Sequence, residues 1–133
     1  MRINCRRIVG GVGIGRALVT NQPINFLTMI DTNRGVIHDQ FHELFGESIK
    51  NVILIFPNAI GSSVGAYSIY SLRLNGVAPL SMICSKKTDI TTASGCAISN
   101  IPVVELIEPH MVSLVKAGSY IKVNADEGVI TAS

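Results

Sequence analysis

Apolar residues in this chain gather in short runs separated by glycine, proline, asparagine and aspartate. The densest run, Val52-Ile-Leu-Ile-Phe56, contains no polar position. That is the pattern of a strand covered on both faces. It leads through Pro57-Asn-Ala-Ile60 into Gly61-Ser-Ser-Val-Gly65 and then into a segment that reads as a helix over about residues 64–75. Gly76 supplies the stop and Pro79 follows soon after, as expected just past a helix end. Residues 80–84 read as a second buried-type strand. Together these pieces predict one βαβ unit with parallel strands and a right-handed crossover.

The flanking regions are poorer in helical signal. Residues 3–20 read as two short strands around Gly10-Gly-Val-Gly-Ile-Gly15, a bulged or twisted hairpin in a small barrel. A dinucleotide fingerprint needs a third glycine where Arg16 stands, and Ala17-Leu-Val-Thr20 is strand-like, which argues against nucleotide binding there. Residues 24–30 are a further strand candidate, ended by the turn formers Asp31-Thr-Asn-Arg-Gly35. Extended structure resumes over 35–39, and an apolar bend covers 41–46. Residues 90–99 and 102–106 read as strand pieces, 112–117 as a short helix or turn, and 118–124 as an alternating strand. After the turn at Asp126-Glu-Gly128, a last strand closes the chain. The predicted class is α/β, a barrel-like β body carrying one βαβ unit, in one domain over residues 1–133.

Composition narrows the function. Apolar residues are 47% of the chain and charged ones 15%, below the usual quarter or so. So little charge leaves part of the surface to be covered by a partner. Arg2, Arg6 and Arg7 form the only basic cluster, with no aromatic interleaving, which suits a solvated edge strand better than nucleic acid. Cys5, Cys84 and Cys96 are odd in number and far apart, unlike a self-contained zinc or iron–sulfur set. His38 and His42 stand four apart, followed by Glu43, with no third ligand at a metal-site spacing. Surface or interface histidines are the expectation. No apolar run approaches the roughly 20 residues of a membrane span, and no long apolar segment follows Met1. The expectation is therefore a cytoplasmic protein with reduced thiols. The absence of tryptophan weighs against a cofactor stacked on aromatic rings.

The candidate chemistry sits in Gly61-Ser-Ser-Val-Gly65. A turn between a buried strand and a helix presents hydroxyls and unpaired N–H groups, which favour an anion or a developing oxyanion. Ser62 reads either as a catalytic group or as a helix cap; Ser63 reads as a cap or a substrate contact.

The ordered set Ile30-Asp31, Gly35, Asp39, His42, Gly46, Ser48-Ile49, Gly61-Ser-Ser-Val-Gly65, Asn75-Gly-Val-Ala-Pro79 and Ile101-Pro-Val-Val104 resembles the swivelling domain of the aconitase X family, over nearly the whole chain. The run Gly61-Ser-Ser-Val-Gly-Ala-Tyr-Ser-Ile-Tyr-Ser-Leu72 is especially similar to an archaeal small-subunit branch. The resemblance implies a two-subunit hydro-lyase that dehydrates (R)-mevalonate 5-phosphate to trans-anhydromevalonate 5-phosphate, a step towards isopentenyl diphosphate. It implies a [4Fe-4S] cluster on the cysteines of a large subunit, whose open iron would act as Lewis acid on the C3 hydroxyl. It also implies that Ser62, as alkoxide, takes the C2 proton, with Gly61, Ser63, Val64 and Gly65 lining the substrate. Asp31, Asp39 and His42 match family positions, either as site groups or as turn and interface supports.

Three departures accompany the resemblance. Ile60 stands where many relatives carry Lys or Arg, Ala59 replaces glycine, and Ala66 replaces a common serine. A cation for carboxylate or phosphate is thus missing from position 60. Two alternatives stay open: the same chemistry on another hydroxy acid such as cis-3-hydroxy-L-proline, and a non-catalytic docking domain.

Overall fold

A computed structural model describes residues 1–133. The strands are β1 (Arg2–Val9), β2 (Val12–Val19), β3 (Ile30–Asp31), β4 (Val36–Ile37), β5 (Val52–Phe56), β6 (Ser81–Cys84), β7 (Val103–Leu106), β8 (Tyr120–Asn124) and β9 (Val129–Ala132). The helices are α1 (Gly65–Leu74) and α2 (Ile90–Ser99), with a 3-10 turn over Pro109–Leu114. Seven strands close into a barrel in the order β1-β7-β6-β5-β2-β8-β9, and β3 and β4 make a separate small ribbon. Neither helix, at 10 residues each, is long enough to cross a membrane.

β2, β5, β6 and β7 are mutually parallel, in registers such as Leu18↔Leu54, Ile55↔Ile83 and Ile83↔Val104. β5 explains its own unbroken apolar run. Ile53 and Ile55 point into the barrel with Ile83, Val104 and Ile121, while Leu54 and Phe56 face the opposite way, beneath the helices. Both faces are dry, so alternation has no role. The β5–α1–β6 unit is as expected from the sequence. α1 ends at Leu74 with Asn75 as its cap, and Gly76 adopts φ +71, a left-handed turn that glycine accepts without steric cost.

Three expectations are corrected. β1 and β2 do not form a hairpin: β1 pairs with β7 and β9, and β2 with β5 and β8. The β8–β9 hairpin is inserted between them, and its turn holds the Gly10–Gly11 bend through Gly11 N–H to Asp126 Oδ1 (2.9 Å) and Ala125 N–H to the Gly11 carbonyl (2.9 Å). Residues 24–30 are mostly turn, because Asn25 Oδ1 accepts the N–H groups of Leu27 and Thr28 at 3.0 and 3.2 Å. Residues 90–99 are helix α2, not strand. Asp89 caps the helix by accepting the Thr92 N–H (3.0 Å), and Asn100 ends it in the left-handed region.

α2 packs closely on α1 because Gly95 faces Ala66. A Cβ at Gly95 would lie 3.1 Å from the Ala66 backbone and 2.9 Å from Ile69 Cδ1. Gly95→Val is expected to destabilise the fold by about 1–3 kcal/mol through overpacking, read as a lowered denaturation midpoint with unchanged slope.

Candidate functional site

Because β2, β5 and β6 run the same way, the segments that follow them, 20–29, 57–64 and 85–89, gather at one end of the barrel. Their contacts are specific. Ile24 bridges to Ala59, and the Ile60 N–H donates to the Ile24 carbonyl (3.0 Å). The N–H groups of Lys86 and Lys87 both donate to the Pro57 carbonyl, at 3.1 and 3.2 Å. Asp89 Oδ1 accepts the Ala59 N–H at 2.9 Å. The phenyl rings of Phe26 and Phe56 meet edge to face, centroids 5.6 Å apart, beneath the loop.

On this base stands the serine turn. Ser62 is exposed, and its Oγ accepts the Val64 N–H at 3.2 Å. The Ser62 carbonyl accepts the Gly65 N–H (3.0 Å), and the Ser63 carbonyl accepts the Ala66 N–H (3.1 Å). Neither serine is the helix cap: the cap residue is Val64, and no side chain bonds the first turn of α1. The free donors stand at the front of the turn. The N–H groups of Gly61, Ser62 and Ser63 have no partner within the chain, whereas those of Val64 and Gly65 are engaged.

The two glycines fix the turn. Gly61 has φ +91, and a Cβ there would lie 2.2 Å from Asn25 Nδ2. Gly65 is buried, with Thr91 Cγ2 and the 26–27 backbone and side chain against it. Gly61, against Asn25, and Gly65, against Thr91 and the 26–27 segment, therefore pin the two ends of the turn, while Ser62, Ser63 and Val64 between them are exposed. Asn25 is a residue the sequence reading missed, since a supposed strand hid the Asn-x-x-Thr turn signal. Lys86 and Lys87, whose N–H groups meet the Pro57 carbonyl, lay outside that reading as well; their signal was two adjacent cations just past an apolar strand.

Asp31, Asp39 and His42 serve the loops around this unit. Asp31 accepts the N–H groups of Asn33 and Arg34 and pairs with Arg34 Nε at 2.9 Å; the Arg34 side chain, foremost, holds its carboxyl below the usual range. Asp39 Oδ1 accepts the Phe41 N–H at 2.9 Å. His42 is buried: its Nδ1 accepts the Leu44 N–H (3.0 Å), which leaves the proton on Nε2, donated to the Pro23 carbonyl (3.2 Å). Glu43 receives the Thr20 hydroxyl and the Asn21 N–H, which lower its pKa in that order. His38 and His42 share no helix, and no three His, Cys, Asp or Glu side chains converge on a metal position.

This serine turn on a barrel-like α/β body is the arrangement expected of one known family, and residues 2–132 match the family described as the aconitase X swivel domain. The chain belongs to the aconitase X swivel-domain family. Among curated relatives, the phosphomevalonate dehydratase small subunit of Methanothrix thermoacetophila is 45% identical over 98% of this chain and 93% of its own length. The protein of the same name from Archaeoglobus fulgidus is 43% identical, covering 98% and 97%. Among solved structures, Thermococcus kodakaraensis aconitase X in its holo-form superposes with a TM-score of 0.92 at 35% identity, covering all of this chain and 98% of that one.

Aconitase X membership brings an iron–sulfur enzyme context, and the thiols of this swivel domain do not fit a cluster. Cys5 lies with the barrel interior, whereas Cys84 and Cys96 lie on the other side of the sheet, under the helices. Burial pushes Cys5 up to about 11, Cys84 up to about 12, and Cys96 well above the ordinary thiol value. Buried neutral thiols are poor ligands and poor nucleophiles. Their titration also sets a stability trend. In the unfolded chain these thiols ionise near 9, while the folded protein keeps them protonated to higher pH. The unfolded state therefore holds fewer protons above that point, and stability falls as pH rises from about 9 towards 12. The expected result is a steady loss of unfolding free energy over that interval, reduced in a Cys84→Ser variant compared with wild type.

Proposed function

We propose that this chain is the small subunit of a phosphomevalonate dehydratase, and that Ser62 is the base that removes the C2 proton of (R)-mevalonate 5-phosphate. The observation that carries this reading is the Ser62 hydroxyl: exposed, bonded by the Val64 N–H, and set in a turn pinned at both ends by glycines. Near-full-length similarity to proteins of that name supports the substrate.

A serine hydroxyl is a very weak base in water, so its alkoxide has to be stabilised by the site. The Val64 N–H donates to Oγ, and the unpaired N–H groups of Gly61, Ser62 and Ser63 add positive potential at the start of α1. Gly61, Ser63 and Val64, all exposed, line the substrate, with Gly61 allowing backbone to approach it closely; Gly65, expected beside them, is instead buried against Thr91 and the 26–27 segment and supports the turn from beneath. The [4Fe-4S] cluster belongs to an aconitase X-type large subunit, since the cysteines here are buried on opposite sides of the sheet.

The surface beside the serine suits that partner. Val64, Tyr67 and Leu74 form an exposed apolar stripe along α1, the last two each 68% exposed, and Phe41 is 87% exposed. Such a stripe leads from the serine turn and accounts for the low charge content as an interface with the large subunit.

The test is anaerobic combination of this chain with the aconitase X-type large subunit of the same genome, followed by assay on mevalonate 5-phosphate. Turnover that requires both chains is expected. A cluster-bearing complex that leaves mevalonate 5-phosphate untouched and dehydrates cis-3-hydroxy-L-proline would replace the substrate.

A further inference from the structure

The absence of a basic residue at Ile60 leaves a phosphorylated substrate without a cation on the 57–61 loop. The fold supplies one from elsewhere. A cavity of about 620 Å³ opens beside that loop, lined by Asn58, Lys86, Lys87, Thr88, Asp89 and Ile90. We infer that this cavity receives the phosphate group of the substrate, bound by the ammonium groups of Lys86 and Lys87. The inference rests on the phosphorylated-hydroxy-acid reading above and deepens it.

Three observations carry it. First, the lysines are anchored at their backbones, both N–H groups meeting the Pro57 carbonyl, so they stand at the carboxyl ends of β5 and β6 rather than on a loose loop. Second, neither lysine has a carboxylate partner. The nearby acids are committed elsewhere: Asp89 accepts from the Ala59 N–H, the Thr92 N–H and the Thr92 hydroxyl, while Glu105 takes the Thr88 N–H (2.6 Å) and the Arg6 guanidinium (2.6 Å). Two lysines without salt-bridge partners stand in one cavity wall against the single carboxylate of Asp89, a net positive lining for a dianion, and hydrogen bonds between charged partners are the stronger kind.

Third, the distance is suitable. Asp89 in the cavity wall is bonded to Ala59, and Ser62 lies only three residues beyond, at most about 11 Å along the chain. A five-carbon acid ending in a phosphate ester, met by flexible lysine side chains, spans such a gap. Proton removal at Ser62 and phosphate binding at the lysines then occur on one substrate molecule. Binding of this kind holds the substrate equally before and during proton removal, so its loss is read in KM rather than in kcat.

The experiment uses the two-subunit enzyme, wild type and the double variants Lys86→Ala/Lys87→Ala and Lys86→Arg/Lys87→Arg. Inorganic phosphate is the direct probe, read by its protection of Lys86 and Lys87 from acetylation in the wild-type complex and by its affinity for all three. Protection, with affinity lowered about tenfold or more in the alanine variant and retained within about threefold in the arginine variant, is expected. For mevalonate 5-phosphate, KM rises by a similar factor in the alanine variant while kcat stays within about threefold. Unprotected lysines, or equal phosphate affinity in wild type and the alanine variant, would overturn the inference whatever the turnover. Phosphate binding at the lysines in a complex inactive on mevalonate 5-phosphate would support the anion subsite and remove the dehydratase reading instead.

Discussion

Ser62→Ala in the assembled two-subunit enzyme is expected to lower kcat by about 10²–10⁴-fold, the usual contribution of a positioned general base. Assembly and thermal midpoint should hardly change, because Ser62 is exposed and its one side-chain bond, to the Val64 N–H, lies at the surface. Ser63→Ala provides the contrast. As a substrate contact it should raise KM and leave kcat largely intact. Steady-state kinetics on the two variants, with complex formation checked by gel filtration, separate the roles. Equal activity of Ser62→Ala and wild type would leave this chain as a docking domain.

The second large effect concerns Gly61. Gly61→Ala forces a side chain into the left-handed region at φ +91 and sets its Cβ against Asn25. The Asn25 amide cannot simply swing aside, since its Oδ1 is tied to the N–H groups of Leu27 and Thr28. The serine turn has to shift, and displacements of about 1 Å at a reacting group can cost about 100-fold in rate. A fall of that order in kcat is expected, with a stability loss of about 1–3 kcal/mol from the strained backbone. Adding Asn25→Ala to Gly61→Ala should recover part of the rate by removing the clash, leaving the backbone strain. A double-mutant cycle on kcat measures that coupling. Strict additivity of the two substitutions would show that Asn25 does not position the turn.

Parts of this site were legible in the sequence and parts were not. The β5–α1–β6 unit could be read because its signals are local: an unbroken apolar strand, a glycine-bounded turn, and Gly76 as a helix stop. α2 could not, because Ile90, Thr91 and Thr92 carry strand preference. The Asp89 cap and the close seat of Gly95 on Ala66 decide the conformation instead. The partners of β1 are also non-local: Cys5 meets Leu106 and Ile3 meets Ile130, pairings that no window along the chain contains.

The same distinction governs the site residues. Ser62 was visible as a serine in a strand-to-helix turn, and the family resemblance selected it over Ser63. Asn25, Lys86 and Lys87 were not visible, since each meets the 57–64 segment from across the sheet end. Their involvement follows from the parallel order of β2, β5 and β6, which brings three separate loops together.

The most direct measurement is the fate of the C2 proton itself. In heavy water, the wild-type two-subunit enzyme equilibrating mevalonate 5-phosphate with its dehydrated product should place deuterium at C2, and Ser62→Ala should abolish that exchange while still binding the substrate. Deuterium appearing at C2 at the wild-type rate in the Ser62→Ala enzyme would contradict the assignment of this serine as the base.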